Sequence, residues 1–339
     1  MMNYEELSAT MELLLQDGKG ILAADESNST IGKRFASINL ENTTENRRDY
    51  RLLLATTTDL EQYINGVILF EETFEQNDEN GTPIAQLFAQ KGIVPGIKVD
   101  KGLAILPNTD DEQVTQGLDG LEERLLHFKK LGARFAKWRN VYSIGEFSPS
   151  MTAIKTGAEN LARYAAICQS VGIVPIVEPE VLMDGDHTID HCAEACEMVL
   201  HEVFNALFIH GVELESIVLK PSMVTSGKSA KPFSAPEDVA DFTLSVFRNT
   251  VPASVPTINF LSGGQSPQQA TANLNAINST GYQPWNLSFS YGRALQEDCL
   301  RVWAGKPENV ASAQAALLKR AKLNSMACFG EYQEKAEQE

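Results

Sequence analysis

The chain reads as a (β/α)8 TIM barrel, α/β in class and a single domain over residues 1–339 with short flexible termini. Three observations predict it. Eight short apolar runs recur along the sequence, each followed by a longer amphipathic or polar stretch. These runs end in polar or ionisable residues, at the strand end where this fold keeps its chemistry. Paired glycines ahead of a helix follow the seventh run, the usual place for a phosphate in such barrels.

In order, the strand candidates are Gly20–Asp25, Gly66–Glu71, Gly96–Asp100, Ala133–Arg139, Ile173–Glu180, Ser216–Pro221, Thr257–Ser262 and Asn286–Ser290. Between them lie helix-like segments such as Leu118–Leu131, Ser150–Ser170, Asp190–His210, Pro236–Asn249 and Ser266–Asn278, and Lys306–Ser325 follows the last strand. Ser148-Pro149, Ser234-Ala235-Pro236 and Ser266-Pro267 each set a hydroxyl just before a proline, the pattern of a capped first turn. A doubly wound sheet would carry its glycine fingerprint after an early strand, and none stands there. Met1–Asn3 and about Gln333–Glu339 read as disordered ends.

Composition narrows the function. A net charge of −17 disfavours nucleic acid and anionic membrane as partners, because both demand a basic surface. No apolar stretch approaches the roughly 18 residues of a membrane span, and Glu5, Glu6 and Glu12 stand where a secretory signal would be basic and apolar. A soluble, cytoplasmic protein is expected. Its five cysteines are too scattered for a disulfide framework and read as reduced thiols. An acidic protein can still hold a phosphorylated substrate if it gathers its cations in one cleft.

Strand side chains alternate, so residues of one parity share a face. One parity runs Ile21-Ala23-Asp25, then Lys98-Asp100, Phe135-Lys137-Arg139 and Val174-Ile176-Glu178-Glu180. It continues through Ser216-Val218-Lys220, Ile258-Phe260-Ser262 and Ser288-Ser290. Charges inside a barrel cost several kcal/mol unless paired, so folding alone does not ask for them. Three lysines (Lys98, Lys137, Lys220) beside Asp25, Glu178 and Glu180 suit amine catalysis. Two ammonium groups about 6 Å apart repel by roughly 3 kcal/mol, which would lower one lysine's pKa by about 2 units and leave it partly neutral. Clustering leaves open which lysine that is. For phosphate, Gly263-Gly264 before Ser266-Pro267 and the segment Ser290-Tyr291-Gly292-Arg293 offer free amides and a guanidinium fork. Ser27, Thr30, Lys33 and Arg34 form a second candidate, so a substrate phosphorylated at both ends is expected.

Other signals read as structural. His187/His191 and Cys192/Cys196 have zinc-like i, i+4 spacing, but His191 and Cys192 point about 100° apart on a helix, so the four cannot converge. No metal is expected. Trp138, Trp285 and Trp303 read as packing residues, and Glu71-Glu72 and Asp110-Asp111-Glu112 as solvated loop ends.

Gly20-Ile-Leu-Ala-Ala-Asp25-Glu-Ser27, Gly96-Ile-Lys98-Val-Asp100, Phe135-Ala-Lys137-Trp-Arg139, Ile176-Val-Glu178-Pro-Glu180, Leu219-Lys220-Pro221, Phe260-Leu-Ser262-Gly-Gly-Gln-Ser266 and Ser290-Tyr-Gly-Arg293 resemble the class I fructose-bisphosphate aldolases, in order from Gly18 to Cys328. The resemblance implies reversible cleavage of fructose 1,6-bisphosphate through a Schiff base on Lys220, without cofactor or metal, in glycolysis and gluconeogenesis. It makes Glu178 the acid/base of the imine steps with Lys137 beside it, Asp25 the base for the C4 hydroxyl, and Glu180 a partner positioning the lysines. It puts Ser262, Gly263, Gly292 and Arg293, with Ser290 in the same segment, at the C1 phosphate. Ser27, Thr30, Arg34, Lys98 and Arg139 fall at or near the C6 phosphate and the hydroxyls. It also implies a homotetramer. The chain departs from the pattern at Ser216 (glycine in the family), Thr30 (often serine) and Glu71 (often histidine). Its last tyrosine, Tyr332, falls too early for the family's terminal tyrosine. A transaldolase or another imine-forming ketose-phosphate aldolase is the nearest alternative, and an added scaffold role is the alternative from another class.

Overall fold

The computed structural model describes residues 4–338, and Met1–Asn3 and Glu339 lie outside them. Eight parallel strands close into a barrel in chain order. They are β1 (Gly20–Ala24), β2 (Ile64–Leu69), β3 (Val94–Lys98), β4 (Phe135–Tyr142), β5 (Val174–Val181), β6 (Val218–Leu219), β7 (Thr257–Phe260) and β8 (Asn286–Tyr291). Closure pairs the first strand with the last, Ile21 opposite Ser290.

Two apolar layers follow from the strand alternation. Ile21, Ala23, Ile68, Val94, Phe135, Val174, Ile176 and Val218 fill the barrel, together with Leu7, Met11 and Leu14 of the helix Tyr4–Leu14. That helix closes the N-terminal mouth with residues spaced four and three apart, one face of its cylinder. Leu22, Val67, Ile97, Ala136, Val177 and Leu219 face the other way, into the layer under the surrounding helices. Gly96 on β3 is required by a close approach, since a Cβ there would lie 2.2 Å from the Phe135 ring.

The inward parity holds on most strands and fails on β7. Ile258 and Phe260 sit in the outer layer, where Phe260 stacks on Phe247 of the helix Pro236–Thr250. Buried Thr257 and Asn259 hydrogen-bond each other at 2.8 Å, so this strand is polar where the others are apolar. Alternation gives the period but not the phase when polar residues can pair inside.

Helix starts correct the proline pattern. Ser266 forms the expected capping box with Gln269. The helix Met151–Ser170 is instead capped by Ser150, and Pro236–Thr250 by Ala235 without a side-chain bond, while Ser234 Oγ accepts the Ser226 N–H at 3.0 Å. A hairpin between Leu103–Ile105 and Gln113–Thr115, unsignalled in the sequence, lies on the rim, where Thr115 donates to the Arg139 carbonyl at 2.6 Å. Beside it Glu112 is buried, accepting from Ser150 N and Oγ, so it is no solvated loop end. Glu71 and Glu72 are likewise paired, with Lys101 and Arg47. Residues 333–338 are ordered, not disordered as expected: Glu334–Glu337 forms a turn of 3-10 helix, and Arg320 grips Glu337 through two bonds of 2.7 Å. Trp138, Trp285 and Trp303 are all buried in the outer layer.

Candidate active site

A cavity of about 1000 Å³ opens at the C-terminal ends of the strands. Every site residue inferred from the sequence lines it: Asp25, Ser27, Thr30, Arg34, Lys98, Lys137, Arg139, Glu178, Glu180, Lys220, Ser262, Gly263, Ser290, Gly292 and Arg293. Strand register explains much of this, because Lys98 pairs with Lys137 and Arg139 with Glu178 across neighbouring strands.

At its floor four ionisable groups form a chain. Lys220, just past β6, is fixed by its N–H on the Val177 carbonyl at 2.8 Å. Its Nζ lies 3.3 Å from Glu178 Oε1. Glu178 Oε2 lies 3.0 Å from Lys137 Nζ, which reaches Asp25 Oδ2 at 3.1 Å. All four are buried. Burial pulls Lys220 below the ordinary lysine range; Glu178 opposes this and the Lys137 cation adds to it. Lys137 is the reverse case: burial lowers it, but Asp25 and Glu178 outweigh burial and hold it well above the ordinary value. For Asp25, burial raises the pKa, and Lys137, Lys220 and Lys98 together drive it far below the usual carboxylate range. One amine is thus biased toward neutrality and its neighbour toward permanent charge. Desolvation, ahead of the cation crowding expected from sequence, is the main cause. Lys98 is bound instead to Asp100 Oδ1 at 2.6 Å.

Higher in the wall, Arg139 donates to Glu180, whose ion pair is therefore with an arginine and not with a lysine. Ser27 caps the helix Asn28–Ala36, its Oγ accepting the Thr30 N–H, so that helix starts at the cavity wall. Across the mouth, the chain leaves β7 two residues before Ser262 and turns at Gly263, whose φ of +53° lies in the left-handed region. That turn brings Ser262 to the cavity despite the inverted phase of β7. Gly292 caps the helix Arg293–Trp303, and the Arg293 guanidinium donates to the Gln265 carbonyl at 2.5 Å.

The sequence reading missed Glu26. Its buried carboxylate takes Arg34, takes Arg51 at 2.7 Å and accepts from Gln296 Nε2 at 3.0 Å, holding Arg34 at the cavity edge. Only its adjacency to Asp25 pointed that way. Lys101 and Glu71 pair on the rim. The zinc-like segment is divided: the Cys192 and Cys196 sulfurs lie 4.0 Å apart and buried, His187 is buried, and His191 faces solvent.

Comparison with known proteins agrees with this geometry. The family model for class-I fructose-bisphosphate aldolase matches residues 6–339. The chain is 53% identical over 330 residues to fructose-bisphosphate aldolase 2 of Plasmodium berghei (strain Anka), covering 97% of this chain and 89% of that protein. It is 51% identical to a probable class 1 fructose-bisphosphate aldolase of Xanthomonas campestris (98% and 99% covered) and 54% identical to the cytosolic fructose-bisphosphate aldolase 5 of Arabidopsis thaliana (97% and 92%). Among solved structures, it superposes with a TM-score of 0.96, at 53% identity and covering 97% and 95% of the two chains, on a fructose-bisphosphate aldolase from Plasmodium falciparum crystallised with TRAP and a small-molecule inhibitor. A closed barrel, a buried amine between carboxylates and these matches over nearly the whole length have one reading: the chain belongs to the class I fructose-bisphosphate aldolase family.

Proposed function

We propose that this protein cleaves fructose 1,6-bisphosphate reversibly to dihydroxyacetone phosphate and glyceraldehyde 3-phosphate through an imine on Lys220. The observation that carries the reading is a lysine held below its ordinary pKa, 3.3 Å from a carboxylate that also touches a permanently charged lysine. The neutral Lys220 amine attacks the C2 carbonyl of the open-chain sugar. Glu178 protonates the carbinolamine oxygen, water leaves, and a protonated imine remains. Asp25 takes the C4 hydroxyl proton; the C3–C4 bond breaks and its electrons move into the iminium, giving an enamine and the free aldehyde. Protonation at C3 and addition of water to the imine release the second product. Lys137 holds Glu178 and Asp25 in register and stabilises their charge, while Glu180 orients Arg139.

Ser262, Gly263, Ser290, Gly292 and Arg293 would bind the C1 phosphate. Ser27, Thr30, Arg34, Lys98 and Arg139 would take the C6 phosphate and the hydroxyls. Cations on both sides of the cavity favour a bisphosphate over a transaldolase substrate. A homotetramer and a cytoplasmic location belong to the same proposal. The exposed Phe208 (84%) and Ile209 (68%) at one helix end support an assembly surface, and light scattering and a fluorescent fusion test the two points.

Borohydride reduction with dihydroxyacetone phosphate, followed by peptide mass mapping, tests the chemistry. The adduct is expected on Lys220, absent in Lys220→Met and slower to form in Glu178→Gln. An adduct on Lys137 or Lys98 would reassign the nucleophile.

A further inference from the structure

We propose that the Met183 thioether clamps the anion loop after β7, and that peroxide oxidation of this sulfur releases the clamp and weakens phosphate binding. The inference rests on the reading of Ser262–Gly264 as the C1-phosphate loop.

Met183 follows β5 by two residues. Its backbone is anchored on both sides, by Leu182 N–H on the Tyr142 carbonyl at 2.8 Å and by the Lys228 N–H on its own carbonyl at 2.7 Å. From that fixed base its sulfur accepts the Gly264 N–H at 3.0 Å. The fit is tight: a Cβ on Gly264 would lie 2.8 Å from the sulfur and 2.9 Å from Cγ. The neighbouring Ser262 and Gly263 line the cavity, and their amides find no hydrogen-bond partner among the described residues. The clamp occupies one amide and leaves the two before it for a ligand. The same loop supports Arg293, on the helix after β8, whose guanidinium rests on the Gln265 carbonyl. Displacing the loop therefore moves both the amides and the cation.

A thioether is a weak acceptor that a two-electron oxidant changes at once. Hydrogen peroxide transfers one oxygen to the sulfur, which becomes a sulfoxide as the peroxide leaves as water. In the epimer whose oxygen is added on the lone pair facing Gly264, that oxygen has to fit where 3.0 Å now separates sulfur from nitrogen, so the loop shifts. Access favours Met183, which is partly exposed. Met223, the other methionine touching this loop, is 3% exposed.

The test uses the full-length enzyme, limited hydrogen peroxide and peptide mass mapping, with KM for fructose 1,6-bisphosphate and competitive inhibition by inorganic phosphate as readouts. Sulfoxide at Met183 is expected to raise KM and the phosphate inhibition constant about tenfold while kcat stays within about twofold, as for lost uniform binding. Methionine sulfoxide reductases A and B should restore both. Met183→Leu, which fills similar space without accepting the N–H, should raise KM about threefold and remove the peroxide response. Oxidised Met151 and Met198, both exposed, remain in that variant as internal controls. Unchanged phosphate inhibition with Met183 fully oxidised overturns the proposal, as does an undiminished peroxide effect in Met183→Leu. Failure of the unoxidised protein to cleave the bisphosphate would instead overturn the functional reading.

Discussion

Lys220 and Lys137 are both buried beside Glu178, yet their pKa values move in opposite directions because Lys137 has a second carboxylate, Asp25, and Lys220 leans on one. Only the neutral amine condenses, so imine formation should rise with pH up to a limb below the ordinary lysine value of 10.5. Lys137 contributes to that lowering. Lys137→Met should therefore move the acid limb to higher pH, besides slowing the reaction, and borohydride trapping against pH reads both effects. A limb that moved down would contradict the electrostatic account. At this scale the sequence was legible where a charge ends an inward strand series, as at Asp25, Lys137, Glu178 and Lys220. It was not legible at Ile258 and Phe260, where polar pairing of Thr257 with Asn259 inverts the phase of β7, nor at Glu26, whose partner Arg51 is distant in sequence. Glu180 finding Arg139 in place of a lysine is a choice among neighbours that only geometry makes.

Among the elements, the helix Met151–Ser170 shows how a rim hairpin is tied to the scaffold. Glu112, beside the strand Gln113–Thr115, accepts the Ser150 amide at 2.8 Å and also its hydroxyl, a carboxylate at the positive end of a long helix. Glu112→Ala should cost about 1–2 kcal/mol and lower the melting temperature, since it leaves half-buried donors unpaired. Hydrogen exchange should quicken at Ser150 and along Gln113–Thr115 first, with cleavage activity largely kept. Gly96→Ala should destabilise by about 1–3 kcal/mol through overpacking against Phe135, measured by urea unfolding. Helix positions were readable from apolar spacing, whereas two of three serine–proline patterns named the wrong capping residue. The pattern marks a turn, and local backbone geometry decides which residue becomes the cap.

For the molecule as a whole, pH sets stability through the same buried charges. Asp25 is depressed on folding, so its contribution is complete above its ordinary value of 3.8 and is lost as pH falls below it. Lys137 is raised, so its share is intact below 10.5 and lost as pH climbs beyond. Lys220, lowered on folding, works the other way: the cost of burying it eases as pH rises toward 10.5. Urea midpoints against pH should fall on the acid side, with a shallower fall in Asp25→Asn than in the parent. The barrel itself was readable from eight recurring strands, because period and spacing are local properties. The plug by Tyr4–Leu14 and the clamp on Glu337 were not, since each depends on surfaces created only when the ring is shut.

That ring has a consequence during synthesis. Asp25 lies just past the first strand, whose second neighbour, β8, is the last barrel strand made, with Ile21 meeting Ser290. A nascent chain with Ser290 and Tyr291 still inside the ribosome has already exposed Lys137, Glu178 and Lys220, but the seam beside Asp25 is open. Catalytic competence should arrive abruptly as Ser290 and Tyr291 emerge to close the seam, and not by degrees as the polypeptide lengthens.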